Sequence, residues 1–207
     1  MNANPAPNPD DLAYLRGLAD EGRNAPPLNG PILIAAALIF GAGAAGHGAI
    51  QSGLLAVDSI AILWVWLAAS AAFGLALYVL LRRMKSKPGY NHIRNEAVGA
   101  AWSGAGFMIF SIWLGLMAMG LTTGDWTAMR IMPSLVCGAY GTGWLVAAAM
   151  SGRRWMNTVA IASYAGAAIL GVVSHLSLVF LVYVAILICV ALIPGIVLTR
   201  EEARGSV

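Results

Sequence analysis

Two histidines are the residues of this 207-residue chain whose type and placement could do chemistry. His47 closes a first apolar run and His175 sits between the fifth and sixth, so both fall at one boundary of a membrane-threaded chain. Two imidazoles at one depth could ligate haem or copper, or serve a quinone-linked redox step. No Cys-x-x-Cys-His sequence, Met-rich ligand motif or second ligand pair accompanies them. The expectation is therefore packing or hydrogen-bonding histidines and no cofactor. His92 and Glu96 stand four apart, a spacing that lets them pair on one helical face. A solvated loop histidine is the default there. Cys137 and Cys189 fall inside apolar runs, roughly 9 Å and 20 Å from the same end at 1.5 Å per residue. A disulfide needs Cα atoms within about 7 Å, so both are expected as small apolar packing residues. Gly41-x-Gly43 lies inside an apolar run and is not a nucleotide loop. No nucleophile–base arrangement or pair of carboxylates appears, so no catalytic residues are assigned.

What must position these residues is a set of six apolar runs. The chain is 59% hydrophobic and 10% charged, against roughly 25% charged in an average soluble domain. Runs near the roughly 20 residues that cross a bilayer are Pro31–Ile50, Ser59–Leu81, Ala97–Leu121, Ile131–Met150, Met156–Val173 and Leu176–Leu198. The predicted fold is all-α, a polytopic membrane bundle of six transmembrane helices preceded by a short amphipathic N-terminal helix. Its domains are a cytoplasmic segment over 1–29, the six-helix domain over 30–198 and a cytoplasmic tail over 199–207. Charged residues sit between the runs, with Glu96 at the edge of the third. An interior so poor in ionisable groups lacks the usual markers of an ion or proton path.

Threading follows from the placement of the basic residues. Arg16, Arg23, Arg82, Arg83, Lys85, Lys87, Arg94, Arg153, Arg154, Arg200 and Arg204 fall on one side, and Arg130 alone falls on the other. Eleven of the 12 Lys and Arg residues on one side predict that both termini face the cytoplasm. Arg82, Arg83, Lys85, Lys87, Arg153 and Arg154 are then topology determinants that touch lipid headgroups. The net charge of +3 does not mark a nucleic-acid binder, because the basic residues flank membrane runs. Trp64, Trp66, Trp113 and Trp126 are expected near the outer boundary, and Tyr78, Trp144 and Trp155 near the inner one. No secretory signal precedes the first run, which is itself the expected insertion signal.

Ahead of that run, Asn8 is a candidate N-cap and Pro9 suits the first helical position. From there to Gly22, Leu12, Leu15, Leu18 and Ala19 share one face, a candidate docking surface for a cytoplasmic protein. The same helix could instead rest on the bilayer or cap the bundle. Asn91 or Asn95 can cap the third helix. Small residues recur four apart at Ala42/Gly46, Ala44/Gly48, Ser70/Gly74, Ala100/Gly104, Ala139/Gly143, Ala162/Gly166 and Ala167/Gly171. They predict close helix packing within the chain, with a homo-oligomer as a secondary use. Pro194-Gly195 predicts a kink or an early end in the last run.

The segment Asp11–Pro26 followed by a Gly-rich first run carrying His47 resembles an uncharacterised family of small six-helix proteobacterial inner-membrane proteins. Members of that family often accompany small winged-helix transcriptional regulators. The resemblance covers the first quarter of the chain and implies a bacterial inner-membrane location and a cytoplasmic partner. It carries over no functional residues. Three readings stand at this point: a non-enzymatic regulatory or scaffolding partner of a cytoplasmic protein, a transporter component of the export-permease kind, and a haem- or quinone-linked redox protein.

Overall fold

The computed structural model describes Ala13, residues 28–87, Tyr90 and residues 93–205. The N-terminal face of Leu12, Leu15, Leu18 and Ala19, the cap Asn91 and the pair partner His92 lie outside the described residues. Every regular element described is helical: α1 (Gly30–Gln51), α2 (Ile60–Lys85), α3 (Ile93–Thr123), a 3-10 turn (Thr127–Ile131), α4 (Met132–Ser151), α5 (Arg154–Val172), α6 (Val179–Leu187), a π turn (Ile188–Leu192) and α7 (Ile193–Gly205). With α6, the π turn and α7 taken as one span, six helical units are long and apolar enough to cross a membrane. Each covers one of the six apolar runs.

The helix starts follow local chemistry. Proline occupies the first turn of both α1 and α4, where its missing N–H costs nothing. Gly152 takes a left-handed conformation (φ 69°) at the end of α4 and accepts the chain reversal into α5. Asn95 sits inside the first turn of α3 and so does not cap it. Because α3 begins at Ile93, it carries Arg94 as well as Glu96, and Arg94 is buried. The interior is therefore less free of charge than the apolar runs imply.

The helices form a row of neighbours in the order α2, α1, α6/α7, α5, α4, α3. Glycines set the close approaches along it. A Cβ on Gly141 would fall 2.7 Å from the Tyr164 ring between α4 and α5, and one on Gly166 would fall 2.8 Å from Ile186 between α5 and α6. Trp102 of α3 lies against Gly143 of α4, its ring edge-on to Tyr140 and Trp144 at 5.1 and 5.8 Å between centroids. At these joints small residues replace the hydrophobic drive that lipid does not supply. The pairs Ser70/Gly74 and Ala100/Gly104 behave differently, since Gly74 and Gly104 face open space.

Pro194-Gly195 neither ends the helix nor leaves it regular. Proline has no N–H to give the carbonyl four residues back, Val190. The indole Nε1–H of Trp144 donates to that carbonyl at 2.9 Å from inside the bundle. Around it the backbone passes through the π turn, with Ile193 N–H donating to Ile188 O. Trp144 is fully buried. Gly195 then admits α1: its Cβ would meet Gly30 O at 3.0 Å and Ile34 N at 3.1 Å.

The outer members of the row are unevenly held. In α2 and in α3, 6% of the apolar window is buried, against 28% to 44% in the other four spans. Extensive contacts of α2 are with α1, and those of α3 with α4 and the 3-10 turn.

Candidate functional site

At the end of the bundle that carries Asp58 and Asp125, His47 is built into the packing. It lies on α1 facing α2, where the Trp66 indole Nε1–H donates to its Nδ1 at 3.0 Å. An indole is a donor only, so the Nδ1 that receives it holds a lone pair and the ring proton sits on Nε2. The opposite ring face stacks on Phe180 of α6, 3.6 Å between centroids and 29° from parallel. His47 therefore joins three helices, with its Nε2–H as the one ring donor left.

His175 belongs to the turn between α5 and α6 and its side chain is exposed. The structure ties it through the backbone: its carbonyl accepts from Arg130 Nη1 at 3.1 Å. Arg130 lies in the 3-10 turn, one residue before its end, and within electrostatic reach of His47. In the loop before the 3-10 turn, Asp125 accepts from Thr127 N–H at 2.8 Å. The Thr127 hydroxyl, and after it that amide, hold the Asp125 carboxyl below the usual carboxylate range. Thr127, Ala128, Arg130, Ile131, Ser174 and His175 line an open depression of about 320 Å³. Among the described residues no group of three or more His, Cys, Asp or Glu side chains converges as a metal site would require.

The basic end is organised differently. Glu202 pairs with Lys87 and Glu201 with Arg153, so the segment beyond Leu198 is helical and tied to two loops. Both pairs are partly exposed, where such contacts contribute about 0–1 kcal/mol. Arg82 lies over the Tyr78 ring at 4.8 Å. Arg83, Lys85 and Arg154 are exposed. Arg94 borders a cavity of about 20 Å³ with Val98, Trp102, Trp144, Ser151 and Met156, a volume near that of one water site.

Three interior serines bond to backbone carbonyls of the bundle. Ser134 donates to Ala167 O at 2.7 Å, Ser163 to Val159 O at 2.8 Å and Ser151 to Ala147 O at 2.6 Å. Cys137 is buried and Cys189 exposed, both as free thiols. The sequence reading did not single out Trp66 and Phe180 as partners of His47, or Glu201 and Glu202 as partners of the basic loops. The isolation of Arg130 was visible in the charge pattern. Arg94, Val98 and Trp102, spaced four apart, could have been read as one buried stripe. Comparison with protein-family models, with curated proteins and with solved structures finds no match for this chain.

Proposed function

We propose that this chain is a non-enzymatic membrane scaffold: a multi-pass protein of a bacterial inner membrane, both termini cytoplasmic, that holds partner proteins together. The observation that carries this reading is the small buried share of α2 and α3, 6% of each apolar window, beside 28% to 44% in the other spans. Along α3, Ala100 and Gly104 and, beyond the exposed Phe107 and Met108, Ser111, Gly115 and Ala118 are exposed small residues at helix-packing spacing. Such a line suits a further membrane helix, from a second copy or another protein. The engagement of interior hydroxyls with backbone carbonyls supports a packing role for them rather than a chemical one. The transporter and redox readings have no comparable support: His47 is clamped by Trp66 and Phe180, and its Nδ1 is occupied.

Two measurements test this reading. Reporter fusions after Lys87, Asp125, Arg154 and the C-terminus should read inside, outside, inside, inside. An external C-terminus would refute the threading. For the cytoplasmic partner, Leu12→Glu with Leu15→Glu should abolish its co-purification. Burial of each Leu contributes at most about 1.5–3 kcal/mol, and six spans keep the protein inserted. Retention of every partner by a chain beginning at Asn24 would remove the N-terminal face from the account.

A further inference from the structure

Arg130 is the exception to an otherwise one-sided charge pattern, and exceptions to that pattern need a local reason. A solvated arginine on the far side of a bundle opposes the threading that the other eleven basic residues favour. This one is engaged: its Nη1 donates to His175 O at 3.1 Å, which ties the guanidinium to the α5–α6 turn. Among the described residues no carboxylate forms an ion pair with it. The carboxylate in the preceding loop, Asp125, is engaged by Thr127 and is not part of the lining. The guanidinium borders a depression of about 320 Å³, within the size range of small-ligand sites. Ser174 and His175 also line it. The Ser174 hydroxyl donates to Gly171 O at 2.8 Å, which fixes it in place. Arg130 lies two residues before α4 begins at Met132, so the depression opens where the apolar span gives way to the headgroup layer.

We propose that this depression binds a phosphate group, with Arg130 supplying the charge and His175 and Ser174 the rim. A planar guanidinium with one edge anchored presents its remaining N–H groups as a fork suited to two phosphate oxygens. The chemistry is shared by a phospholipid headgroup in the adjoining leaflet and by free phosphate. The inference does not depend on the scaffold reading, because it concerns the opposite end of the bundle from the cytoplasmic partner and a different surface from the α3 line.

The test uses the full chain, delipidated in a detergent with a neutral sugar headgroup. It is titrated with phosphatidylglycerol and, separately, with inorganic phosphate, and occupancy is counted by native mass spectrometry. Arg130→Gln should weaken binding roughly tenfold or more, the scale of a lost charge-assisted contact. Arg130→Lys should fall between it and the parent. His175→Asp places a negative charge on the exposed rim without touching the bundle, and should weaken binding comparably even if Arg130→Gln disturbs the turn. Arg154→Gln, at the other end, should leave binding unchanged. Loss confined to the lipid titration assigns the site to a headgroup, and loss in the phosphate titration assigns it to free phosphate. Binding of neither probe, or binding indifferent to both Arg130→Gln and His175→Asp, would overturn the proposal.

Discussion

Trp144→Ala is expected to destabilise the bundle by about 3–5 kcal/mol, the cost of emptying a large buried aromatic site. The indole fills the space between Trp102 and Trp155, at 5.8 Å from each centroid. It also satisfies the carbonyl that Pro194 leaves open. The two contributions separate by substitution. Trp144→Phe keeps part of the packing and removes the N–H, a bond worth about 1–2 kcal/mol in a membrane interior, together with part of the buried ring. Pro194→Ala restores a backbone donor for Val190 and should reduce the cost of Trp144→Phe when the two are combined. Unfolding in mixed micelles, followed by far-UV circular dichroism, compares the parent with Trp144→Ala, Trp144→Phe, Pro194→Ala and the double substitution. Equal stability of Trp144→Phe and the parent would show that Val190 is satisfied without the indole.

Gly30→Ala should be the most damaging single-methyl change, with destabilisation of about 1–3 kcal/mol or more. The added Cβ would lie 2.5 Å from Thr199 Oγ1 and 2.8 Å from both Gly195 O and Thr199 N. Two of those atoms are backbone, so relief requires α1 and α7 to separate. Gly104→Ala is the control, because its Cβ would meet nothing. In the isolated chain that change should be neutral or should stabilise by up to about 1 kcal/mol through helix propensity. The same unfolding assay distinguishes the two. Equal effects at Gly30 and Gly104 would contradict the α1–α7 crossing.

How much of this was legible in the sequence differs by residue. The six spans and their order follow from run length and from the charges between runs, since bilayer thickness leaves little freedom in either. The small-residue pairs could be found but not sorted. Gly143 and Gly104 look alike along the chain, yet one receives Trp102 and the other faces outward, because the neighbour order of helices is a property of the whole bundle. Pro194 announced an irregularity, and the consequence depended on Trp144, fifty residues earlier, reaching Val190. His47 and His175 were read as one candidate pair from their shared depth. The structure gives them different roles, one clamped between Trp66 and Phe180 and the other exposed beside Arg130. Depth along a helix says nothing about which way a ring faces.

The scaffold reading stands or falls on what covers α3 in the native membrane. A photoreactive diazirine side chain at Met108, between Gly104 and Ser111 on the exposed face, reports this directly when irradiated in intact cells. A matching probe at Ile161, exposed on α5, serves as the lipid-facing reference. The account predicts a discrete protein adduct from Met108, either a dimer of this chain or a second membrane protein, and lipid adducts alone from Ile161. Lipid adducts alone from both positions would contradict it and leave α3 as a helix that faces only the bilayer.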